Sequence, residues 1–158
     1  MNKVILNANH LVINALTAIN NKNYIEAKSL LEKAISIQPE MFEANHNLAI
    51  LNFQLGNLDS SILYFEKSRK IKPKFSQVYF NLGLAYDRKK NIDLAIINFK
   101  KVIKLDPNNS IALYNIGHLY KAKLEPIKAE EYLSKSLDLN PNFIKTYDDL
   151  FSLYDQSN

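Results

Sequence analysis

The sequence predicts an all-α fold built from repeated helical hairpins, and three observations carry that prediction. First, Pro39, Pro73, Pro107 and Pro141 recur at intervals of 34 residues, with only Pro126 outside the series. A fixed period of roughly 20–50 residues marks a repeat architecture. Second, stacking the chain at that period lines up small residues: Ala15, Ala49, Gly83, Gly117; Ala27, Ser61, Ala95, Ala129; and Ala34, Ser68, Val102, Ser136. Third, large residues line up between them: Leu48, Leu82, Ile116, Leu150; Leu31, Phe65, Phe99, Leu133; and Tyr86, Tyr120, Tyr154. Two helices approach closely only where side chains are small, and large neighbours fill the grooves that remain.

Four repeats follow, 8–41, 42–75, 76–109 and 110–143, with a terminal helix at 144–155, all within one domain, 1–158. In the third repeat Leu82 and Tyr86, then Ala95, Phe99 and Val102, keep the three-to-four spacing of amphipathic helices. That spacing predicts helices over 78–89 and 93–105. The joints inside the repeats read "NNKNY", "QLGNL", "RKKNI" and "KLEPI". Asn23, Asn57 and Asn91 stand where an amide oxygen caps a second helix. Glu125 takes that place in the fourth repeat, followed by Pro126 at a position that tolerates a missing donor. The periodic prolines fall just beyond each second helix, which proline cannot continue. In the first repeat Asn14 and Ala18 occupy columns otherwise held by large residues, as in a terminal repeat with one face in water. Phe151 breaks the small column, which is tolerable where no later helix packs on it.

Composition is ordinary for a globular chain, with 47% hydrophobic and 23% charged residues. With no Cys, disulfide scaffolds, thiolate metal sites and cysteine nucleophiles are excluded. The net charge of +4 is uneven: residues 66–104 carry eleven Lys/Arg against three Asp/Glu. The basic segments "EKSRKIKPKF", "DRKKN" and "KKVIK" are too dispersed for a dedicated nucleic-acid site, so no specific nucleic-acid binding is expected. They read as a solvated outer face. No apolar run approaches the roughly 20 residues of a membrane span, so no membrane insertion is expected. The opening "MNKVILNANHLVINALTAI" is interrupted by Asn7, Asn9, His10 and Asn14 and reads as folded structure rather than a leader. The expected location is the cytoplasm.

At "NLGLAY" (Asn81–Tyr86), "IGHLY" (Ile116–Tyr120), "AIINFKKVIKLDPNN" (Ala95–Asn109) and "AEEYLSKSLDLNPN" (Ala129–Asn142) the chain resembles the tetratricopeptide-repeat family. The resemblance covers residues 8–154 and departs from the family pattern where Trp is frequent, at Leu11, Asn45, Tyr79, Leu113 and Tyr147. It implies a right-handed superhelix, or solenoid, whose first helices line a concave groove. It also implies a scaffold that binds a peptide or protein segment and is not itself an enzyme. The alternative is a recruiting or structural arm at the N-terminus of a larger protein such as a transferase. That reading rests on the chain's closing at "YDQSN" (Tyr154–Asn158), where a joint to another second helix would begin.

Positions flanking the packing columns of the first helices form the expected peptide-binding groove: Asn47, Ile50, Phe53, Phe80, Asn81, Leu84, Tyr114, Asn115 and His118. Val12, Leu16 and Ile19 in the first repeat, and Lys145, Asp148 and Asp149 in the last helix, flank the same columns. Asn47, Asn81 and Asn115 repeat at 34 residues. Each amide carries a donor and an acceptor. They can pair with a peptide backbone, as in the asparagine ladder of the protein O-linked N-acetylglucosamine transferase, or make local bonds. The carboxylate clamp of chaperone cochaperones is not expected, because His46, Ile50, Asn81, Ile111 and Asn115 supply none of its Lys or Arg. His10, His46 and His118 are scattered, so neither a metal nor a cofactor site is expected. No phosphate loop and no nucleophile elbow occurs, so no catalytic residue is assigned. Self-association is the remaining partner expectation, because an uncovered end of a stack invites it.

Overall fold

The computed structural model describes residues 2–155, with side chains from residue 7. Among the described residues it forms nine helices and no strand: α1 (Asn2–Asn20), α2 (Tyr24–Ile37), α3 (Phe42–Gln54), α4 (Leu58–Ile71), α5 (Ser76–Arg88), α6 (Ile92–Leu105), α7 (Ser110–Ala122), α8 (Pro126–Leu139) and α9 (Ile144–Asp155). The third repeat was expected as helices over 78–89 and 93–105, and α5 and α6 match to within two residues. The last described residues of "YDQSN", Tyr154 and Asp155, end α9, and the remainder lies outside the described residues.

The chain divides into two compact units, Met1–Asn81 and Leu82–Asn158. In the first, α1 pairs with α2, α3 pairs with α4, and α2 packs on α3. Its core contains Val12, Ala15, Leu31, Leu48 and Leu51, all at most 5% exposed. In the second, α7 pairs with α8, α6 packs on α7, and α9 packs on both α7 and α8. Leu82, Phe99, Ile116 and Leu133 are buried there.

The small columns sit where helices meet. A Cβ built on Gly83 would lie 2.7 Å from the Phe99 ring, and one on Gly117 would lie 2.7 Å from the Leu133 side chain. The predicted terminal character of the first repeat also holds. His10, Asn14 and Thr17 are exposed, whereas Ala44, Leu48 and Leu51 at the same columns of the next repeat are buried. At the other end, Phe151 is 73% exposed, with no helix packed over it among the described residues.

The joints follow the expected chemistry with two exceptions. Asn23 accepts from the Glu26 amide and Asn91 from the Leu94 amide. Asn57 has the same backbone setting but makes no capping bond with its side chain; Asp59 in the first turn places a negative charge where the helix dipole favours it. Glu125 does not cap α8 either, because its carboxylate is drawn to Lys128 at 2.6 Å. Pro126 stands in the first turn of α8, as expected. A cap that the reading of the joints missed is Asn109, which accepts from the Ala112 amide at the start of α7.

One residue before each of these four capping positions the backbone turns left-handed: Lys22 at φ 60°, Gly56 at 80°, Lys90 at 60° and Leu124 at 59°. Only glycine takes this conformation without steric cost; other L-residues lose about 1–2 kcal/mol. Leu124 is 83% exposed, so its side chain repays little of that cost. Replacing it with Gly restores more freedom to the unfolded chain, which offsets about 0.4–1 kcal/mol. Leu124→Gly is therefore expected to raise stability by about 0.5–1 kcal/mol, read as a higher urea midpoint at unchanged m-value.

Candidate functional site

The nine expected groove residues lie on α3, α5 and α7. Eight are half-buried, and His118 is exposed. Their neighbours on the same helices, such as Leu48, Leu82 and Ile116, are fully buried. In the first unit α3 carries Asn47, Ile50 and Phe53, and the start of α5 carries Phe80 and Asn81. In the second, Leu84 lies on α5, and α7 carries Tyr114, Asn115 and His118. Val12, counted with this surface from its column, is instead 5% exposed and belongs to the core of the first unit, together with Leu31 and Leu48.

The repeated asparagines make local bonds. Asn47 Nδ2 donates to the Glu43 carbonyl and Asn115 Nδ2 to the Ile111 carbonyl, both at 2.8 Å within their own helices. Gln77 Nε2 donates to Asn81 Oδ1 at 3.1 Å. An amide that spends a donor on its own helix keeps its oxygen as an acceptor, with two lone pairs to offer.

In the first unit His46 stacks on Phe42 at 5.1 Å, and the Phe75 ring stands edge-on to both. Lys72 Nζ sits 4.1 Å over the Phe42 ring and pairs with Glu43 at 2.9 Å. Burial, and secondarily the Lys72 charge, hold the His46 imidazole below its ordinary range; Glu43 pulls weakly the other way. Its Nδ1 is buried without a hydrogen-bond partner.

In the second unit Asp149 of α9 is 8% exposed and accepts from His118 Nδ1 at 2.7 Å and from Lys121 Nζ, both on α7. Burial would raise its carboxyl, but the bonds from Lys121 and His118 prevail and hold it below the usual carboxylate range. Burial and the Asp149 carboxylate push the Tyr114 hydroxyl up to about 12, so it stays protonated as a donor. Tyr114 also packs on Phe143, with ring centroids 4.8 Å apart.

The pairing of α7 with Asp149 was not visible in the sequence. The search for histidine partners ran along single helices, whereas this contact spans 31 residues between two. Asp149 occupies the column that holds Asn115 one repeat earlier, and a carboxylate standing where the earlier repeats carry an amide is the one trace of it in the sequence. No group of three His, Cys, Asp or Glu that could hold a metal occurs among the described residues.

Paired helices at a 34-residue period, with buried small residues at each crossing, define a helical-repeat protein. The chain belongs to the tetratricopeptide-repeat family of protein-interaction modules: models of that repeat match residues 18–82 and, one after the other, 76–109 and 110–143. Solved structures agree in fold. A MamA protein superposes with a TM-score of 0.91 at 20% identity, over 98% of this chain and 83% of that one. YrrB, described as a tetratricopeptide-repeat protein with an unusual peptide-binding site, gives 0.78 at 24% identity over 85% and 69%. PilF of Pseudomonas aeruginosa gives 0.80 at 22% over 98% and 71%. No curated protein matches the chain. Among the described residues no helix is long and apolar enough to cross a membrane.

Two outcomes test the electrostatics. An unfolded His titrates near 6.5, above the native value of His46, so the unfolded chain binds the proton first. Stability is therefore full above about pH 6.5 and declines as pH falls below it. His46→Leu is expected to flatten that decline in urea midpoints measured between pH 7 and pH 5. For Asp149 the depressed native value means that its contribution is present above about pH 4 and is lost as pH falls through the native value. Asp149→Asn is expected to lower stability at pH 7 by about 1–2 kcal/mol, as for a hydrogen-bonded charge, and the deficit should shrink in acid.

Proposed function

We propose that the half-exposed sides of the first helices hold a segment of a protein partner, as a cytoplasmic, non-catalytic interaction module. In the first unit the contact residues are Asn47, Ile50, Phe53, Phe80 and Asn81; in the second they are Leu84, Tyr114, Asn115 and His118. The observation that carries this reading is their composition at intermediate burial. Aromatic and aliphatic side chains stand beside amide oxygens. Apolar area supplies affinity for a peptide, and the amide oxygens accept its backbone N–H groups without regard to its side chains. Each such bond contributes only about 0.5–1.5 kcal/mol, so Phe80, Leu84 and Tyr114 are assigned the larger share.

The fold likeness to YrrB, whose description names a peptide-binding site, supports the same class of ligand. The basic side chains engage elsewhere: Lys72 with Glu43, Lys123 with Asp93, and Lys100 with the Tyr120 hydroxyl at 2.8 Å. No observation favours the alternative of an arm serving a larger enzyme.

The test is selection of binders from a displayed random-peptide library, followed by affinity measurement on a selected peptide. Phe80→Ser, Leu84→Ser and Tyr114→Ser together are expected to weaken binding at least tenfold with the helical circular-dichroism spectrum retained, while Lys70→Ser leaves it unchanged. Equal binding by the triple variant would remove this surface from consideration.

A further inference from the structure

Six residues after the periodic prolines the sequence places Asn45, Tyr79, Leu113 and Tyr147. In the second and third repeats the side chain at this position bonds to the proline carbonyl. Asn45 Nδ2 donates to the Pro39 carbonyl, and the Tyr79 hydroxyl donates to the Pro73 carbonyl, each at 2.9 Å. Both residues are buried, Tyr79 at 7% exposure. In these two repeats a side-chain donor closes the turn from within by bonding to the proline carbonyl.

The fourth repeat has Leu113 at this position. Leucine has no donor for the Pro107 carbonyl, and it lacks the reach of the tyrosine ring. Here the surface opens into a cavity of about 360 Å³, lined by Ile103, Pro107, Leu113, Lys135, Asp138 and Leu139. Its volume falls within the range of sites that take small organic groups. The floor is aliphatic, and the rim carries one cation and one anion. Lys135 is already paired with Glu131 at 2.6 Å, which leaves the Asp138 carboxylate and the Pro107 carbonyl as acceptors. The site therefore favours a flat apolar body ending in a neutral donor.

We propose that this cavity is a socket for a tyrosine side chain of a partner polypeptide. Its ring rests on Ile103, Leu113 and Leu139, and its hydroxyl donates to the Pro107 carbonyl. The guest reproduces from outside the contact that Tyr79 makes from inside one repeat earlier. The socket excludes phosphotyrosine, whose dianion would face a carbonyl and a carboxylate. It lies apart from the residues assigned to peptide binding above, so either assignment stands or falls without the other.

The probe is N-acetyl-tyrosinamide, titrated into the full chain with methyl NMR detection. Saturable shifts are expected at the Ile103, Leu113 and Leu139 methyls, with a dissociation constant on the order of millimolar, as suits so small a ligand. N-acetyl-phenylalaninamide, which lacks the donor, should bind roughly threefold to tenfold more weakly, and O-phosphotyrosine should produce no shifts there. Leu113→Tyr should fill the socket from within and abolish the shifts; a tyrosine already occupies this column at Tyr79 and Tyr147. Leu139→Lys, a change at a 44% exposed rim position, should abolish them without touching the core. The proposal is overturned by equal binding of the phenylalanine analogue, by undiminished binding in Leu139→Lys, by shifts confined to the Ile50 and Leu84 methyls, or by no saturation at concentrations on the order of tens of millimolar.

Discussion

Where Gly83 meets Phe99, one added carbon would stand 2.7, 2.8 and 2.9 Å from three atoms of the ring, closer than real contacts allow. Gly117 stands in the same relation to Leu133. The helices of the third and fourth hairpins owe their close approach to that missing carbon. A close crossing lets Phe99, Ile116 and Leu133 bury fully against facing backbone, and burial of that kind is the main favourable term in folding. The first unit carries Ala15 and Ala49 at the same column, so its pairs make room for one more carbon. The column is thus a spacing rule shared by the repeats, enforced most strictly where glycine is used.

A repeat that buries one face against its neighbour leaves the ends of the array to be managed. At the first helix the solution is partly polar: His10, Asn14 and Thr17 replace the buried Ala44, Leu48 and Leu51 of the next repeat, with Ile13 exposed among them. At α9 it is different. Ile144, Tyr147 and Phe151 remain exposed, while the opposite side of the helix is tied to α7 through Asp149, His118 and Lys121. A largely buried carboxylate is costly unless paired, and two partners from one neighbouring helix give α9 a defined seat that apolar packing alone would not specify.

The same logic separates the two kinds of surface on this chain. Residues beside the packing columns are half-buried because the helix curvature carries them partway out of the contact. They offer apolar area and amide oxygens. The cavity beside Leu113 is of another kind. It adjoins a position whose counterparts Asn45 and Tyr79 bond to the proline carbonyl in the second and third repeats. In a repeat protein the neighbouring repeats act as controls, so a residue that breaks its column shows both what is missing and what would fit.

Periodicity alone determined the helices, their pairing and their stops, because those depend on local chemistry and on which face of a helix is apolar. Pro126, the caps at Asn23 and Asn91, the polar first helix and the exposure of Phe151 were all legible in this way. The capping failures at Asn57 and Glu125 were not, since a cap competes with other partners that only coordinates reveal. The groove positions were legible as columns, but their chemical state was not. How much of its amide Asn47 offers depends on where the Glu43 carbonyl lies, because that carbonyl takes one of the two N–H donors. Tertiary structure alone decided that Asp149, which reads on the sequence as a polar face of the last helix, is buried against His118 and Lys121, and that a cavity lies beside Leu113. Both outcomes arise from contacts between residues on different helices, which a reading along single helices does not record.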